Sequence, residues 1–149
     1  MDEQTVKNII ELALLSCEPK AKKKNITLNV HCPDALEGKL NSILMVRALS
    51  NLIDNAIKYG PEHSQVNISA FKEREKVIFS VKDLGPGIDE KHHERLFERF
   101  YSVDKARSKE LGGSGIGLAI VKHIALAHGG QVKVESSPGK GSTFSLHLG

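Results

Sequence analysis

The sequence lacks tryptophan altogether and carries only two cysteines and five prolines among 149 residues. Its longest apolar runs, such as Leu12-Ala13-Leu14-Leu15, fall far short of the ~20 residues that span a bilayer, and the acidic start Asp2-Glu3 does not suit a signal peptide. Cys17 and Cys32 cannot form a disulfide framework, and their spacing matches no zinc signature. Both read as reduced packing residues of a cytosolic protein. Charge of one sign is scarce too: 21 Lys+Arg against 18 Asp+Glu leaves a net charge of +3. With only 5% aromatic residues, the stacking platforms and basic stripe of a nucleic-acid binder are missing. What is present, 40% hydrophobic and 26% charged residues, fits one globular domain covering residues 1–149 that buries about two-thirds of its unfolded surface.

Val6, Ile9, Ile10, Ala13 and Leu14 follow helical spacing and predict a first helix ending near Pro19 or in the cluster Lys20 to Lys24. Ile26, Leu28 and Val30 alternate with polar residues as a strand, which Pro33-Asp34 breaks, and a short connection passes through Gly38. Asn41 can cap a long helix from Ser42 to Tyr59, with Gly60-Pro61 as its stop. Val66, Ile68 and Ala70, then Val77, Phe79 and Val81, predict an antiparallel hairpin joined by the charged turn Lys72 to Lys76. From Asp83 to Gly115 periodicity fails, apart from a helical patch at His92 to Phe97, and so long a loop in a compact domain is often functional. A helix from Ile116 to Ala127 and a hairpin turning at Pro138-Gly139-Lys140-Gly141 close the chain. The expected fold is α+β, a two-layer sandwich in which three helices cover one face of a mostly antiparallel sheet of about five strands.

Three polar features interrupt this apolar pattern. On the long helix Asn51, Asn55 and Lys58 share one face. The amide oxygen of Asn55 is a hard ligand suited to magnesium and Lys58 a point charge suited to phosphate, although the same spacing also fits a solvated surface. Asp83-Leu84-Gly85-Pro86-Gly87-Ile88 places a carboxylate at a strand end before two glycines. It can accept a hydrogen bond from an exocyclic amine such as that of adenine, or merely shape a turn. Gly112-Gly113-Ser114-Gly115-Ile116-Gly117-Leu118 opens the last helix with bare amides suited to an anion. It is neither a dinucleotide fingerprint, since Leu118 stands where the third glycine falls, nor a Walker A loop. The seven histidines lack metal-ligand spacing and read as exposed or capping residues.

In order along the chain stand Asn51-Leu52-Ile53-Asp54-Asn55-Ala56-Ile57-Lys58-Tyr59, Asp83 to Ile88, Phe97-Glu98-Arg99-Phe100-Tyr101, and Gly113 to Leu118. This series resembles the asparagine, first glycine, phenylalanine and second glycine boxes of the catalytic ATP-binding domain of two-component sensor histidine kinases. The closing Gly139-Lys140-Gly141-Ser142-Thr143-Phe144 is similar to that family's last hairpin.

The resemblance implies the Bergerat ATP-binding fold shared with gyrase, Hsp90 and MutL-type ATPases, with ATP and Mg²⁺ as its ligands. Asn55 would hold the metal, Asn51 and Lys58 would line the phosphate end as catalytic groups, and Tyr59 would flank the nucleotide. Asp83 would accept the adenine amine, with Gly85, Gly87 and Ile88 shaping its pocket. Gly113, Ser114, Gly115, Ile116, Gly117 and Leu118 would wrap the phosphates, while Phe97 and Phe100 anchor a lid from about Tyr101 to Gly112, Phe100 also contacting ATP. The implied activity is γ-phosphoryl transfer to a histidine on a separate dimerisation domain, with a response regulator downstream.

The chain differs from the ATPase branches at one position and departs from the kinase pattern in two respects. The ATPase branches carry glutamate where this chain has Asn51, so the site suits holding ATP for an external nucleophile rather than hydrolysing it. Many relatives carry arginine where Ser102 stands, leaving Lys105, Arg107 or Arg99 as stand-ins. No phosphoacceptor motif precedes residue 5, and His93-Glu94-Arg95-Leu96 imitates one only in part. The chain therefore reads as a monomeric, cytoplasmic piece of a longer kinase, of a kind that often carries a membrane anchor, and as unable to autophosphorylate alone. A protein-serine kinase of the anti-sigma-factor type and a regulatory module that binds nucleotide without transferring phosphate are the alternatives.

Overall fold

The computed structural model describes residues 1–103 and 115–149. Strand β1 (Asp2–Thr5) leads into helix α1 (Val6–Lys23), then β2 (Thr27–His31), β3 (Glu37–Leu40), α2 (Ser42–Tyr59), β4 (Gln65–Glu73) and β5 (Lys76–Asp83). A single 3₁₀ turn (Glu90–His92) precedes α3 (Gly117–Ala127), β6 (Gln131–Ser136) and β7 (Ser142–Leu148). The main sheet runs β2-β4-β5-β7-β6, and only its β2–β4 pair is parallel. One continuous core joins Val66, Ile68, Phe79, Val81, Phe144 and Leu146 of the sheet to the apolar stripes of α1, α2 and α3. The α+β sandwich is therefore as the hydrophobic periods predict.

Three local outcomes differ from, or decide between, the sequence expectations. Helix α1 runs through Pro19 to Lys23, because the buried stripe continues to Ala21 and Lys20, Lys22 and Lys23 complement the negative end of the helix. The segment read as a connection through Gly38 is strand β3, paired antiparallel with β1 from Asp2↔Leu40 to Thr5↔Glu37. Polar, exposed Asp2 and Glu3 carry no alternation that could have announced that second sheet. The patch at His92 to Phe97 forms consecutive turns after the 3₁₀ turn, since Leu96 and Phe97 are its only apolar residues and supply no helical stripe.

Helix α2 is the central element, and both its ends are fixed from elsewhere in the chain. Asn41 caps its start by accepting from the Leu44 amide at 3.0 Å, while the Asn41 amide donates to His128 Nε2 at 3.1 Å. His128, expected as an exposed or capping residue, does cap α3 through Ile124 O but is buried. At the other end Lys24 Nζ donates to the carbonyls of Ile57, Lys58 and Gly60 at 2.8, 3.2 and 2.6 Å. An ammonium has three donors, and here they meet carbonyls that the helix end leaves unpaired. Cys17 and Cys32 are free thiols, and burial pushes the Cys17 thiol up to about 12, which leaves it an inert packing group. No helix among the described residues is long and apolar enough to cross a membrane.

The Lys24 cap predicts that Lys24→Met lowers unfolding free energy by about 1.5–3 kcal/mol, the scale of hydrogen bonds to a charged group. Urea denaturation would read this as a lower midpoint with an unchanged slope.

Candidate functional site

Burial of Leu52, Ile53, Ala56 and Ile57 against the core turns Asn51, Asn55 and Lys58 to another side of α2, where all three are half-buried. They form a recessed polar strip, not the fully solvated surface that their spacing alone also allowed. Asn51 Nδ2 donates to the Gly117 carbonyl at 3.5 Å, so the strip begins beneath the first turn of α3. Lys58 Nζ stands 5.3 Å from the centre of the Tyr59 ring. The half-buried Tyr59 extends the strip toward the loop that follows β5.

At the end of β5, Asp83 is 4% exposed and pairs in register with Ser142 of β7. Burial pushes its carboxyl above the usual carboxylate range, and hydrogen bonds from the backbone of Gly85 and Ser142 oppose that rise. The Gly85 amide reaches Asp83 Oδ1 at 2.8 Å. Gly85 also lies so close to α2 that a Cβ there would stand 2.9 Å from the Tyr59 carbonyl oxygen. The carboxylate is thus held beside the C-terminal end of the α2 strip by a backbone that only glycine permits.

The loop after Asp83 rests on the turn between β6 and β7. A Cβ on Gly87, whose φ is +77°, would meet Ser137 O at 1.9 Å, and one on Gly141, at φ +72°, would meet Asp83 O at 2.2 Å. Gly139 N donates to Pro86 O at 2.7 Å, and Ile88 N donates to Ser136 Oγ at 2.7 Å. Ser136, Gly141 and Ser142 belong to this site although motif spacing did not single them out. The resemblance of Gly139 to Phe144 to the family's last hairpin was the available signal, and it gave no reason to connect that hairpin with Asp83.

Gly115, Ile116, Gly117 and Leu118 bring the start of α3 over α2, with Ile116 as its N-cap. The predicted phosphate residues Gly113 and Ser114, the stand-ins Lys105 and Arg107, and nearly all of the expected lid lie outside the described residues. Phe97 packs edge-on against Phe144 with ring centres 6.2 Å apart. The Phe100 ring is 63% exposed, and its amide donates to Gly115 O. A φ of +65° at Phe100 turns the side chain outward, and Arg99 lies over its ring at 5.4 Å. Tyr101 hydrogen-bonds His92 Nδ1 and stacks under the Arg95 guanidinium at 4.4 Å.

The α+β domain thus carries a buried acceptor at one end, an amide and ammonium strip along one helix, and a glycine-rich helix start above it. The family described as histidine kinase-, DNA gyrase B- and HSP90-like ATPase matches residues 40–149, and the chain belongs to that family. It is 43% identical over 148 residues to the sensor-like histidine kinase SenX3 of Mycobacterium tuberculosis, covering 99% of this chain and 36% of that relative. The catalytic domain of histidine kinase ThkA, nucleotide-free, superposes with a TM-score of 0.86 at 26% identity, covering 99% of this chain and 93% of that one. Full-length ShkA in complex with AMPPNP gives 0.78 at 30% identity over 94% of this chain and 28% of its own.

Since the folded state raises the Asp83 pKa, its ionised form is disfavoured by folding. This group's stabilising contribution is full below the unfolded-state pKa and is lost as pH rises through the higher folded-state value. The difference in Tm between the unliganded wild type and Asp83→Asn will therefore move in favour of the wild type as pH falls from 7 toward 3. Paired thermal scans across that range test this, and a difference independent of pH would remove the buried-carboxylate assignment.

Proposed function

We propose that this chain is the ATP-binding catalytic domain of a two-component sensor histidine kinase, which passes the γ-phosphoryl group of ATP to a histidine on a separate dimerisation domain. The observation that carries this reading is Asp83, a buried acceptor that the fold must stabilise against desolvation and that makes sense as a partner for the adenine amine. The bound ATP analogue in ShkA, a structure of like fold, supports the choice of ligand.

The residues present fit Mg-ATP. The start of α3 stands over the amide strip, where Asn51 Nδ2 donates to the Gly117 carbonyl at 3.5 Å and a Cβ at Gly117 would be in ordinary contact with Asn51 Cγ at 4.0 Å. Asn55 would hold magnesium through its side-chain oxygen, a hard neutral ligand suited to that ion. The metal supplies charge neutralisation at the phosphates. Lys58 adds a cation to the same end, and Asn51 orients through its amide while offering no carboxylate to activate water. In the transfer the bond from the γ-phosphorus to its bridging oxygen breaks, ADP leaves with that electron pair, and a nitrogen–phosphorus bond forms on the acceptor imidazole, which loses its proton. Positioning and charge therefore carry most of the catalysis.

Where Ser102 replaces arginine, Arg99 is the one named stand-in among the described residues, and it is already stacked on Phe100. The names of the relatives favour histidine over serine as acceptor, since SenX3, ThkA and ShkA are all called histidine kinases. The proposal places the domain in the cytoplasm with a response regulator downstream. It assigns the chain no membrane contact of its own.

Calorimetric titration should show ATP binding that strengthens with Mg²⁺, with Asn55→Ala removing the magnesium dependence. Asp83→Asn should weaken ATP binding by about 1.5–3 kcal/mol, the scale of a charge-assisted hydrogen bond. Added to a dimeric histidine domain, the chain should yield acid-labile phosphohistidine. Acid-stable phosphate would establish the serine-kinase alternative, and binding without transfer would establish the regulatory one.

A further inference from the structure

Ser136, the last residue of β6, has a hydroxyl contacted from three directions. It lies 2.7 Å from Ile88 N, 2.8 Å from Gly141 O and 2.7 Å from Ser142 Oγ. The chemistry of the partners settles the proton arrangement. Gly141 O can only accept and Ile88 N can only donate, so the single Ser136 proton goes to Gly141 O. Ser136 Oγ then accepts from the Ile88 amide and from the Ser142 hydroxyl, which uses its whole hydrogen-bonding capacity.

Each of those three partners touches the Asp83 end of the site. Ile88 closes the loop that begins at Asp83, and its carbonyl is in turn contacted by His93 Nε2 at 3.0 Å. Gly141 packs against the Asp83 carbonyl, and the Ser142 backbone hydrogen-bonds the Asp83 carboxylate. One side chain therefore ties the loop, the turn beneath it and the strand residue opposite Asp83. Gly139 N donates to Pro86 O at 2.7 Å as a second link between the loop and that turn.

We propose that Ser136 is a positioning residue for recognition of the purine base: through Ile88, Gly141 and Ser142 it sets the loop of residues 84–88 against Asp83. It touches none of the groups assigned to the phosphates. Its loss should consequently weaken recognition of the base while leaving the α2 strip unaltered. This inference rests on the nucleotide reading above and adds the element that makes the base end selective.

The test uses this chain with Ser136→Ala and Ser136→Thr, the latter keeping the hydroxyl. Calorimetry with Mg-ATP and Mg-GTP gives the base preference, and amide exchange at Ile88 gives the local contact. For Ser136→Ala, the ATP Kd should rise about tenfold, the scale of one lost hydrogen bond with a half-buried donor left unpaired. The preference for ATP over GTP should fall with it, and Ile88 exchange should accelerate. Ser136→Thr should restore all three. Should Ser136→Ala fail to fold, Ser136→Cys replaces it, preserving volume while giving up the strong acceptor.

An unchanged ATP Kd and base preference in the Ala variant would overturn the role of Ser136 while leaving the nucleotide reading standing. Equal losses for ATP and GTP would also overturn it, by showing general loosening. A wild-type chain that binds neither nucleotide would overturn both readings together.

Discussion

The apolar stripe of α2 is the constraint on which the rest depends. Met45, Ala48, Leu49, Leu52, Ile53, Ala56 and Ile57 are all at most 2% exposed and form the centre of the core shared with the sheet and the other two helices. Burying those side chains fixes the rotation of the helix about its axis, and with it the direction in which Asn51, Asn55 and Lys58 point. The helix cannot turn to hide the polar strip without exposing the residues that hold the domain together. Lys24 and Asn41 then fix its ends, so the strip is positioned along the axis as well as around it.

The Asp83 end depends on a different kind of constraint. A carboxylate at the end of an otherwise apolar strand is disfavoured by burial, and two backbone donors only partly offset the cost. Those donors exist because β5 pairs with β7 in the register that sets Asp83 opposite Ser142. A one-residue slip would carry either Phe79 and Val81 or Phe144 and Leu146 out of the core, so the hydrophobic alternation that stabilises the sheet also specifies the surroundings of the charge. Stability and site geometry share a single register.

The main elements were legible because each carries a period that matches its environment. Helix α2 shows the 3.6-residue repeat and an asparagine cap, β4 alternates from Val66 to Ala70, and β5 keeps Val77, Phe79 and Val81 on the core face although Ile78 between them is also buried. What escaped the sequence had no period to read. Strand β1 is held by backbone pairing to β3, and Ser136 takes its role from contacts with residues 48 positions earlier and five or six later. Local pattern is blind to such contacts. The order of four short motifs identified the family while each motif alone remained ambiguous, since chance can supply one asparagine pair or one glycine turn far more readily than the series.

The two halves of the site are built on unequal supports. The amide strip sits on a helix whose orientation is fixed by a large buried surface, whereas the acceptor, at the end of β5, is enclosed by a loop held by a few hydrogen bonds and two glycines at positive φ. A surface change near α2 would have to overcome the packing of the core before it moved Asn55. Near Asp83, loss of one hydroxyl is enough to leave the half-buried Ile88 amide without its partner. Changes in base preference are therefore expected to arise in the β6–β7 turn, and changes in phosphate handling at the start of α3, with α2 the fixed reference between them.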